Sequence, residues 1–272
     1  MKTSLLIVTC LLLVFCTTFS CKKSQPEPPK PTDSVHLNTG LLLYLPFNGN
    51  FADSSGNGNQ YTAIGGAALT YDEHGYANSA FGGTGAGERL LVTNNGSIKF
   101  DTAFSLSFDV MVNDLRNQVF FSLVQSSNAH GFTFDCGLNV PGDEQYEVGV
   151  GDITRSCDDI GDKNPNNVED STGFHLVPGS WYNIISIYHR GAVTTYVNGR
   201  LVSSKQGTGT KALNCPDAQF IVGSWWAGGP ESINGKLDEV RFYNRTLNKE
   251  EIATLAQHFQ LTSTSIRQVG SR

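Results

Sequence analysis

The sequence predicts an all-β protein, a sandwich or barrel of short antiparallel strands with one short helix near its C-terminal end. Three observations predict this class. Short runs rich in Val, Ile, Phe and Tyr recur along the chain, as β-strands require. Turn-forming residues separate these runs, and the chain contains 29 glycines. Asn198-Gly199 stands between two such runs and favours a two-residue hairpin, because both residues tolerate a positive φ.

The predicted strands extend from residue 41 to residue 243. In one of them every second residue from Phe104 to Val112 is apolar, so one face of that strand is wholly apolar. The predicted strands are Leu41–Phe47, Arg89–Thr93, Phe104–Val112, Gln118–Val124, Gly131–Asp135, Tyr146–Val150, Trp181–Arg190, Thr194–Val197, Arg200–Ser204, Gln219–Ser224 and Lys236–Tyr243.

Residues 1–20 are predicted to be a lipoprotein signal peptide. Lys2 precedes an apolar run from Leu5 to Phe19 that is too short for a comfortable membrane span. The segment Thr18-Phe19-Ser20-Cys21 resembles a lipobox, which would make Cys21 the lipidated first residue of the mature protein. The alternative is an ordinary secretory signal with a chance cysteine.

Three further segments follow Ser20. Residues 21–38 hold the lipidated Cys21 and a proline-rich linker, which is semi-extended because prolines cannot form a packed core. Residues 39–260 form the domain, and residues 261–272 form a flexible tail rich in Ser and Thr. An anchor, a spacer and a domain are the layout of a bacterial envelope lipoprotein, placed at the outer membrane with the cell surface as a further possibility.

Charge excludes nucleic acid as an expected partner. The formal net charge is −6 for the whole chain. Removing residues 1–20 takes away one cation, Lys2, and leaves 18 basic against 25 acidic residues, a net −7. Nucleic-acid binding needs a concentrated basic face, which this balance does not provide. The remaining length suits one large β-sandwich.

Three cysteines remain besides Cys21, namely Cys136, Cys157 and Cys215. The predicted envelope location permits a disulfide. A Cys136–Cys157 bond would close a loop of ordinary length and contribute roughly 3 kcal/mol. A Cys157–Cys215 bond is nearly as plausible, and one thiol stays free in either case.

The run from Ile233 to Leu255 predicts a strand, a turn and a capped helix. Lys236–Tyr243 alternates between apolar and polar residues, with a slip at Asp238-Glu239. Asn248 begins an Asn-Lys-Glu-Glu sequence, in which an N-cap residue precedes a glutamate by three positions. Ile252, Leu255 and Phe259 then follow at helical spacing.

This run resembles the last strand and helix of the bacterial laminin-G-like (LamG), concanavalin A-like domains. Two further segments resemble the same family in the same order. They are Leu45-Pro46-Phe47-Asn48-Gly49-Asn50 with Asp53-Ser54-Ser55-Gly56-Asn57-Gly58-Asn59, and Trp181 through Asn198-Gly199-Arg200-Leu201-Val202. The resemblance spans roughly residues 40 to 258 and implies a two-sheet antiparallel jelly-roll sandwich.

The resemblance also implies a structural calcium ion. In similar domains an Asp of the first loop and the Asp of the last strand share Ca²⁺. These positions are Asp53 and Asp238 in this sequence, and Asn57 is a secondary candidate for a third ligand. The Asp53 loop is rich in oxygen ligands and glycine, which suits calcium. In the alternative interpretation Asp53 caps its own backbone turn.

Glycan binding is predicted at Trp225-Trp226. This pair follows a strand and precedes Ala-Gly-Gly-Pro, so it lies at a strand end, where flat indole rings can stack on sugars. Because a Gly-Ser-Trp is frequent at this place in similar domains, Trp225 is expected to be partly structural and Trp226 to be the better ligand candidate.

Catalysis is not expected. The glucanases of this superfamily carry an E-x-D-x-(x)-E run on one strand, and this sequence has none. Glu144 and Glu147 form the nearest acidic pair, but a separation of three places them on opposite faces of a strand.

The segment from Ser156 to Thr172 is rich in Asp and Asn and has no strand pattern, so it is predicted to be a surface excursion. Its Asp162-x-Asn164-x-Asn166 spacing is interpreted as a solvated acidic loop, with a second ion site as the alternative.

The sequence therefore predicts an envelope-anchored, non-catalytic, lectin-like module that binds glycans or surface partners and holds a structural calcium. The alternatives are a glycoside-active enzyme on the same fold and a purely structural or adhesive surface protein.

Overall fold

The structure, a computed structural model, describes residues 35–93, 98, 101–125, 132–139, 144–154, 156–158, 166–215, 218–226, 229 and 231–257. These residues form antiparallel β-sheets and one short helix, which confirms the predicted fold class. The predicted signal peptide, the lipidation site Cys21, the Asp162-x-Asn164 segment and the tail 261–272 lie outside the described residues. Within the described part of the chain, no helix combines the length and apolar character needed to cross a bilayer.

The strands and the helix follow in chain order. They are β1 Leu41–Leu45, β2 Gln60–Ile64, β3 Ala68–Thr70, β4 Ala80–Thr84, β5 Arg89–Thr93, β6 Ala103–Val112, β7 Gln118–Gln125, β8 Phe134–Asn139, β9 Gln145–Val150, β10 Val168–His175, β11 Trp181–His189, β12 Ala192–Val197, β13 Arg200–Gln206, β14 Ala218–Val222, β15 Asn234–Tyr243 and α1 Lys249–Leu255.

The strands form two sheets. Sheet I has the order β13-β12-β11-β6-β15-β4-β3. On the same edge of β15, β4 pairs with the N-terminal half and β1 pairs with the C-terminal half. Sheet II has the order β10-β9-β8-β7-β14-β5-β2. Because β6 lies between β11 and β15, and β14 between β5 and β7, the chain crosses repeatedly between the sheets, as in a jelly roll.

Aromatic rings fill the space between the sheets. Phe104 stacks on Phe242 with ring centroids 5.6 Å apart and meets Phe134 of sheet II edge-on at 5.7 Å. Phe108 meets Phe121 at 4.8 Å. The apolar face predicted for Phe104–Val112 lies in this core. Each fully buried side chain of this size contributes roughly 1.5–3 kcal/mol relative to exposure.

Helix α1 covers the outer face of sheet I. Its residues Ile252 and Leu255 pack with Ile185 of β11 and Tyr243 of β15 in a cluster separate from the main core. The apolar spacing of the sequence therefore does bury one helix face, and it does so against the outside of a sheet.

The start of α1 is fixed by polar contacts. The Asn248 side chain accepts a hydrogen bond from the Glu251 amide at 2.9 Å, and the Glu251 carboxylate accepts one from the Asn248 amide at 2.9 Å, which confirms the predicted capping box. The Arg245 guanidinium donates to Glu251 at 2.7 and 2.8 Å and to the carbonyls of Thr39 and His36 at 2.7 and 3.1 Å. Arg245 thus joins the helix to the start of the described chain.

A β-bulge explains the slip in the β15 pattern. Asp238 pairs with Asp109 of β6, but the next paired residue of β15 is Arg241, which pairs with Ser107. Glu239 adopts a left-handed φ of 51° inside the bulge. The extra residue sends both Asp238 and Glu239 away from the core, whereas Val240 returns to it.

Four observed strands are absent from the sequence prediction, namely β2, β3, β4 and β10. The most instructive is β10, since the prediction of a strandless excursion over Ser156–Thr172 is wrong at its C-terminal end. There the buried positions alternate as Val168, Asp170 and Thr172, so two of the three inward side chains are polar. Ser203 of β13 donates to Asp170 at 2.9 Å, and Thr172 donates to the Tyr146 carbonyl at 2.7 Å. Polar partners therefore replace the apolar contacts that a sequence pattern can detect.

The disulfide joins Cys157 to Cys215, and Cys136 is a free, buried thiol. Of the two pairings open from the sequence, the structure therefore contains the second. The bond ties the described end of the β9–β10 excursion to the segment that precedes β14, across a separation of 58 residues.

Candidate functional site

The outer face of sheet II carries polar residues on four neighbouring strands. Ser122 of β7, Asp135 of β8, Gly149 of β9 and Glu169 of β10 form one cross-strand row, each paired in register with the next. Directly opposed residues point to the same face of a sheet. The neighbours of Ser122 in β7 lie in the core, so this row points outward. Glu147, two residues before Gly149, lies on the same face.

An acidic cavity of about 260 Å³ lies over this row. Carboxylates from β8, β9, β10 and the β14–β15 connection line it together with an indole. None of the described residues that line it is Lys, Arg or His. The outward-facing acidic residues among them are Asp135, Glu147, Glu169 and Glu231, and the indole belongs to Trp225.

The indole of Trp225 forms one wall of the acidic cavity. Its Nε1 is buried and has no hydrogen-bond partner among the described residues. The position of this residue is fixed through its backbone, because the Ser122 hydroxyl donates to the carbonyl of Trp225 at 2.5 Å and to that of Ser224 at 3.0 Å. Trp226 instead packs against Ile221 and Phe132 in a small apolar cluster. The structure thus brings Trp225, and not the favoured candidate Trp226, to the cavity.

Polar contacts fix the side chains of β10 and its neighbour β9. On the outer face, Glu147 accepts a hydrogen bond from the Ser171 hydroxyl. Asp170 belongs to the inward-facing residues of β10, and its Oδ1 accepts a hydrogen bond from Ser203 of β13. Burial raises the pKa of Asp170 above its ordinary value, and the Ser203 hydrogen bond opposes this shift. At Gly149 a β-carbon would lie 2.9 Å from the Asp135 carboxylate, so the glycine keeps this part of the site open.

A second polar pocket, of about 420 Å³, lies on the outer face of sheet I. Its floor is the row Asn183, Asp109 and Asp238, paired in register across β11, β6 and β15. Asn183 donates to Asp109 at 2.8 Å, and its Oδ1 has no partner among the described residues. Burial raises the pKa of Asp109 well above its ordinary range and that of Asp238 to about 8. The neighbouring charge of Glu239 adds to both shifts.

The three residues predicted to share calcium are not brought together by described contacts. Both Asp53 oxygens accept hydrogen bonds, from the Tyr44 amide at 3.0 Å and from donors of Ser55 and Asn59 at 2.8–3.2 Å. Asn57 donates to the carbonyls of residues 41 and 42. Asp238 accepts from the Glu239 amide at 2.8 Å instead.

These contacts favour the interpretation in which Asp53 caps its own turn. Donor hydrogens already surround its carboxylate, and this is the arrangement of a carboxylate that caps its own turn. Within the described residues, no group of three or more His, Cys, Asp and Glu side chains is placed to hold a metal ion. Calcium binding by Asp53, Asn57 and Asp238 stays a prediction, and the contacts of Asp53 count against its share in it.

The free thiol of Cys136 lies in the core, and burial raises its pKa well above the usual range. Glu144 lies just before β9 with a left-handed φ of 47°, whereas Glu147 lies in β9 and lines the acidic cavity. No sequence pattern points to Asp135, Glu169 and Glu231 as one group, because only the register of β8, β9 and β10 and the course of the β14–β15 connection bring them together.

Comparison with solved structures finds the same fold in binding domains. One match is domain 4 of AbnA, a GH43 extracellular arabinanase from Geobacillus stearothermophilus, whose structure was solved in complex with arabinotriose. Its TM-score is 0.60 at 20% sequence identity, and the match covers 79% of this chain and 98% of that domain. The receptor-binding domain of botulinum neurotoxin mosaic serotype C/D has a TM-score of 0.60 at 13% identity, covering 82% of this chain. The binding domain of Paraclostridial Mosquitocidal Protein 1 has a TM-score of 0.60 at 17% identity over the same share.

The coverage differs between these proteins. The present chain spans about half the length of each toxin chain, 52% and 53% respectively, and nearly all of the arabinanase domain. At these identities the likeness concerns the fold. No curated protein matches the sequence.

Family membership follows from the sequence match and agrees with the two-sheet architecture. A model of the concanavalin A-like lectin/glucanases superfamily, the Laminin_G_3 family, matches residues 83–253, which is more than half of the chain and includes β5 to β15. The chain therefore belongs to the concanavalin A-like lectin/glucanase superfamily.

Proposed function

We propose that the protein is a non-catalytic, lectin-like module that binds a saccharide in the acidic cavity on the outer face of sheet II. The observation that carries this proposal is Trp225, which lines the cavity together with several acidic residues and whose indole Nε1 has no hydrogen-bond partner among the described residues. Sugars present apolar C–H faces that stack on indoles and hydroxyls that bond to carboxylates. The arabinotriose complex of the structurally similar arabinanase domain supports a saccharide ligand for this fold.

The proposal is tested with a glycan array and three variants of the purified protein. Trp225→Ala removes the indole and is expected to lower affinity about five- to thirtyfold, since a stacked aromatic contributes about 1–2 kcal/mol. Trp226→Ala removes a similar indole outside the cavity and is expected to leave affinity within about twofold once folding is verified. If Trp225→Ala leaves binding unchanged, the assignment of the saccharide site to the acidic cavity is refuted. If the protein binds no glycan on the array, the alternative of an adhesive, protein-binding role is favoured.

A glycoside-active enzyme remains the second candidate because of one observation. Glu147 is opposite Gly137, two residues after Asp135, so Asp135 and Glu147 are diagonal neighbours on one face. Such neighbours are about 7–8 Å apart, and inverting glycosidases separate their carboxyl groups by about 6.5–9.5 Å. We expect no new reducing ends when the protein is incubated with polysaccharides. Their appearance, and their loss in Asp135→Asn, would make the protein an enzyme.

A structural calcium ion is proposed at the polar pocket of sheet I. Asp238, Asp109 and the Oδ1 of Asn183, which has no hydrogen-bond partner within the described part of the chain, supply oxygens from three adjacent strands. This suits the preference of calcium for oxygen ligands. A cation there would join β11, β6 and β15. Added Ca²⁺ is expected to raise the melting temperature of the wild type and not that of Asp238→Asn, and an equal response of both would refute this placement.

Anchoring at the bacterial outer membrane is proposed from Cys21 and the apolar segment before it. A lipid anchor would be seen as incorporation of a labelled fatty acid into the wild type and its absence in Cys21→Ala. Labelling of both proteins, or of neither, would contradict the proposal.

A further inference from the structure

We propose that the interior of the sandwich contains a binding site for one ordered water molecule, which ties β10 of sheet II to β12 of sheet I. The water completes the hydrogen bonds of two buried side chains, Asp170 and Thr195. This inference concerns the space between the sheets and is independent of the saccharide and calcium sites proposed above.

A row of hydroxyl side chains crosses the inner face of sheet I. Ser186 of β11 pairs in register with Thr195 of β12, and Thr195 pairs in register with Ser203 of β13. Directly opposed residues share one face of a sheet. The cross-strand pairs on either side of this row belong to the main core and are Ile184–Val197 and Tyr188–Val193. The hydroxyl row therefore points into the core as well.

The two outer hydroxyls of the row have partners on sheet II. The Tyr146 hydroxyl and Ser186 Oγ are 3.0 Å apart, and Ser203 donates to Asp170 Oδ1 at 2.9 Å. The middle hydroxyl, that of Thr195, has no hydrogen-bond partner among the described residues, and the same is true of Asp170 Oδ2. Thr195 is fully buried and Asp170 is only 4% exposed. The unsatisfied atoms thus come in a pair, one from each sheet.

The two unsatisfied atoms lie in the same part of the interior. The Asp170 carboxylate reaches Ser203, and Ser203 is the cross-strand neighbour of Thr195. The β-carbons of such neighbours are about 4.5–5.5 Å apart. Buried polar groups without partners are uncommon in folded proteins. Because the two side chains are not bonded to each other, a bridging group is needed to satisfy both.

Water has the chemistry that this position requires. A carboxylate oxygen accepts hydrogen bonds, whereas a hydroxyl both donates and accepts, so a water can donate to Asp170 Oδ2 and bond to Thr195 Oγ1 in either direction. The Ser203 oxygen can accept a further bond, which gives three partners, within the usual range of about two to four for a buried water. Serine and threonine also leave more room than the larger side chains in the flanking pairs.

The bridge has a consequence for the outer face of sheet II. Glu169 and Ser171 precede and follow Asp170 in β10, and both line the acidic cavity. By holding Asp170 against sheet I, the water fixes the strand that supplies one wall of that cavity.

The first test is thermal unfolding of two matched variants. Thr195→Val keeps the shape of the side chain but removes a partner of the water, so it is expected to lower the melting temperature by about 2–4 °C. If Thr195 Oγ1 had no partner, the same change would remove an unsatisfied hydroxyl, and a melting temperature equal to or above that of the wild type would overturn the proposal. Thr194→Val makes the same change on the outer face of β12, where Thr194 contacts the exposed Ser204, and is expected to shift the melting temperature by no more than about 2 °C.

The second test identifies the bridging group. A high-resolution crystal structure of the wild type is expected to show one water within about 2.6–3.2 Å of both Asp170 Oδ2 and Thr195 Oγ1. A direct hydrogen bond between the two side chains would also make Thr195→Val destabilising, so finding that bond, or no water, would overturn the proposal. In hydrogen exchange, the β10 amides are expected to exchange several-fold faster in Thr195→Val and at the wild-type rate in Thr194→Val. Wild-type exchange in Thr195→Val would show that the water does not tie β10 to sheet I.

Discussion

Removal of the Cys157–Cys215 disulfide is the perturbation whose size follows most directly from the structure. The bond closes a loop with a sequence separation of 58 residues. In the chain-entropy model, a loop of that length lowers the entropy of the unfolded chain by about 14 cal/mol/K, which is ~4 kcal/mol at 25 °C. For a domain of some 220 residues the entropy of unfolding is roughly 0.46 kcal/mol/K, so the expected fall in melting temperature is about 9 °C.

The assay is thermal unfolding of the wild type and of a Cys157→Ser/Cys215→Ser double variant, each with and without reductant. Reductant is expected to lower the wild-type melting temperature to that of the double variant and to leave the double variant unchanged. Cys136→Ala serves as the control, because the reductant response should persist when the free thiol is removed. A response that disappears in Cys136→Ala, or a double variant as stable as the wild type, would refute the reasoning.

Three more perturbations have expected outcomes. Asp238→Asn, measured with a chelator present, should flatten the pH dependence of stability. The pKa of Asp238 is about 8 in the folded state and ~3.9 in the unfolded chain, so in the wild type the free energy of unfolding falls by up to ~1.4 kcal/mol per pH unit between about pH 4 and pH 8. A variant with the wild-type slope would contradict this. Asn248→Ala removes the capping box and should cost about 1 kcal/mol, or 2–4 °C in melting temperature, whereas no change would show that Arg245 alone fixes α1. Gly191→Ala should destabilise the protein far more than Gly179→Ala. Both glycines have a positive φ, but a β-carbon at Gly191 would lie 1.8 Å from the Gly209 carbonyl oxygen, whereas one at Gly179 would have nothing within 4 Å. Equal melting temperatures of the two variants would refute the steric argument.

Local sequence patterns predicted the elements whose cause is local. The Asn198-Gly199 turn joins β12 to β13 with φ values of 49° and 74°, as its residue types require. The capping box at Asn248 needs only residues three apart, and the apolar face of β6 needs only an alternation. These features decide their own conformation before the rest of the chain is considered.

The strands that the sequence missed owe their pairing to partners far along the chain. β2 is exposed along most of its length and exists because its five residues pair with β5. β10 directs Asp170 and Thr172 inward, where groups of β13 and β9 satisfy them. A single sequence cannot show that an inward polar residue will find a partner.

The candidate site was missed for a related reason. Trp225 and Trp226 are adjacent and chemically alike, and the choice between them depends on the Ser122 hydroxyl more than a hundred positions earlier, which bonds to the Trp225 carbonyl. The acidic residues of the cavity are likewise scattered over nearly a hundred positions. Motif spacing therefore points to the loop that carries both tryptophans, whereas only the strand register brings Trp225 and the acidic residues to one candidate site.

The contacts of Arg245 place the first described residues on one side of the sandwich. Its guanidinium holds the carbonyls of His36 and Thr39 beside α1, on the outer face of sheet I. The acidic cavity opens on the outer face of sheet II, on the other side of the sandwich. A probe attached at His36 would therefore not compete with a ligand that occupies the cavity.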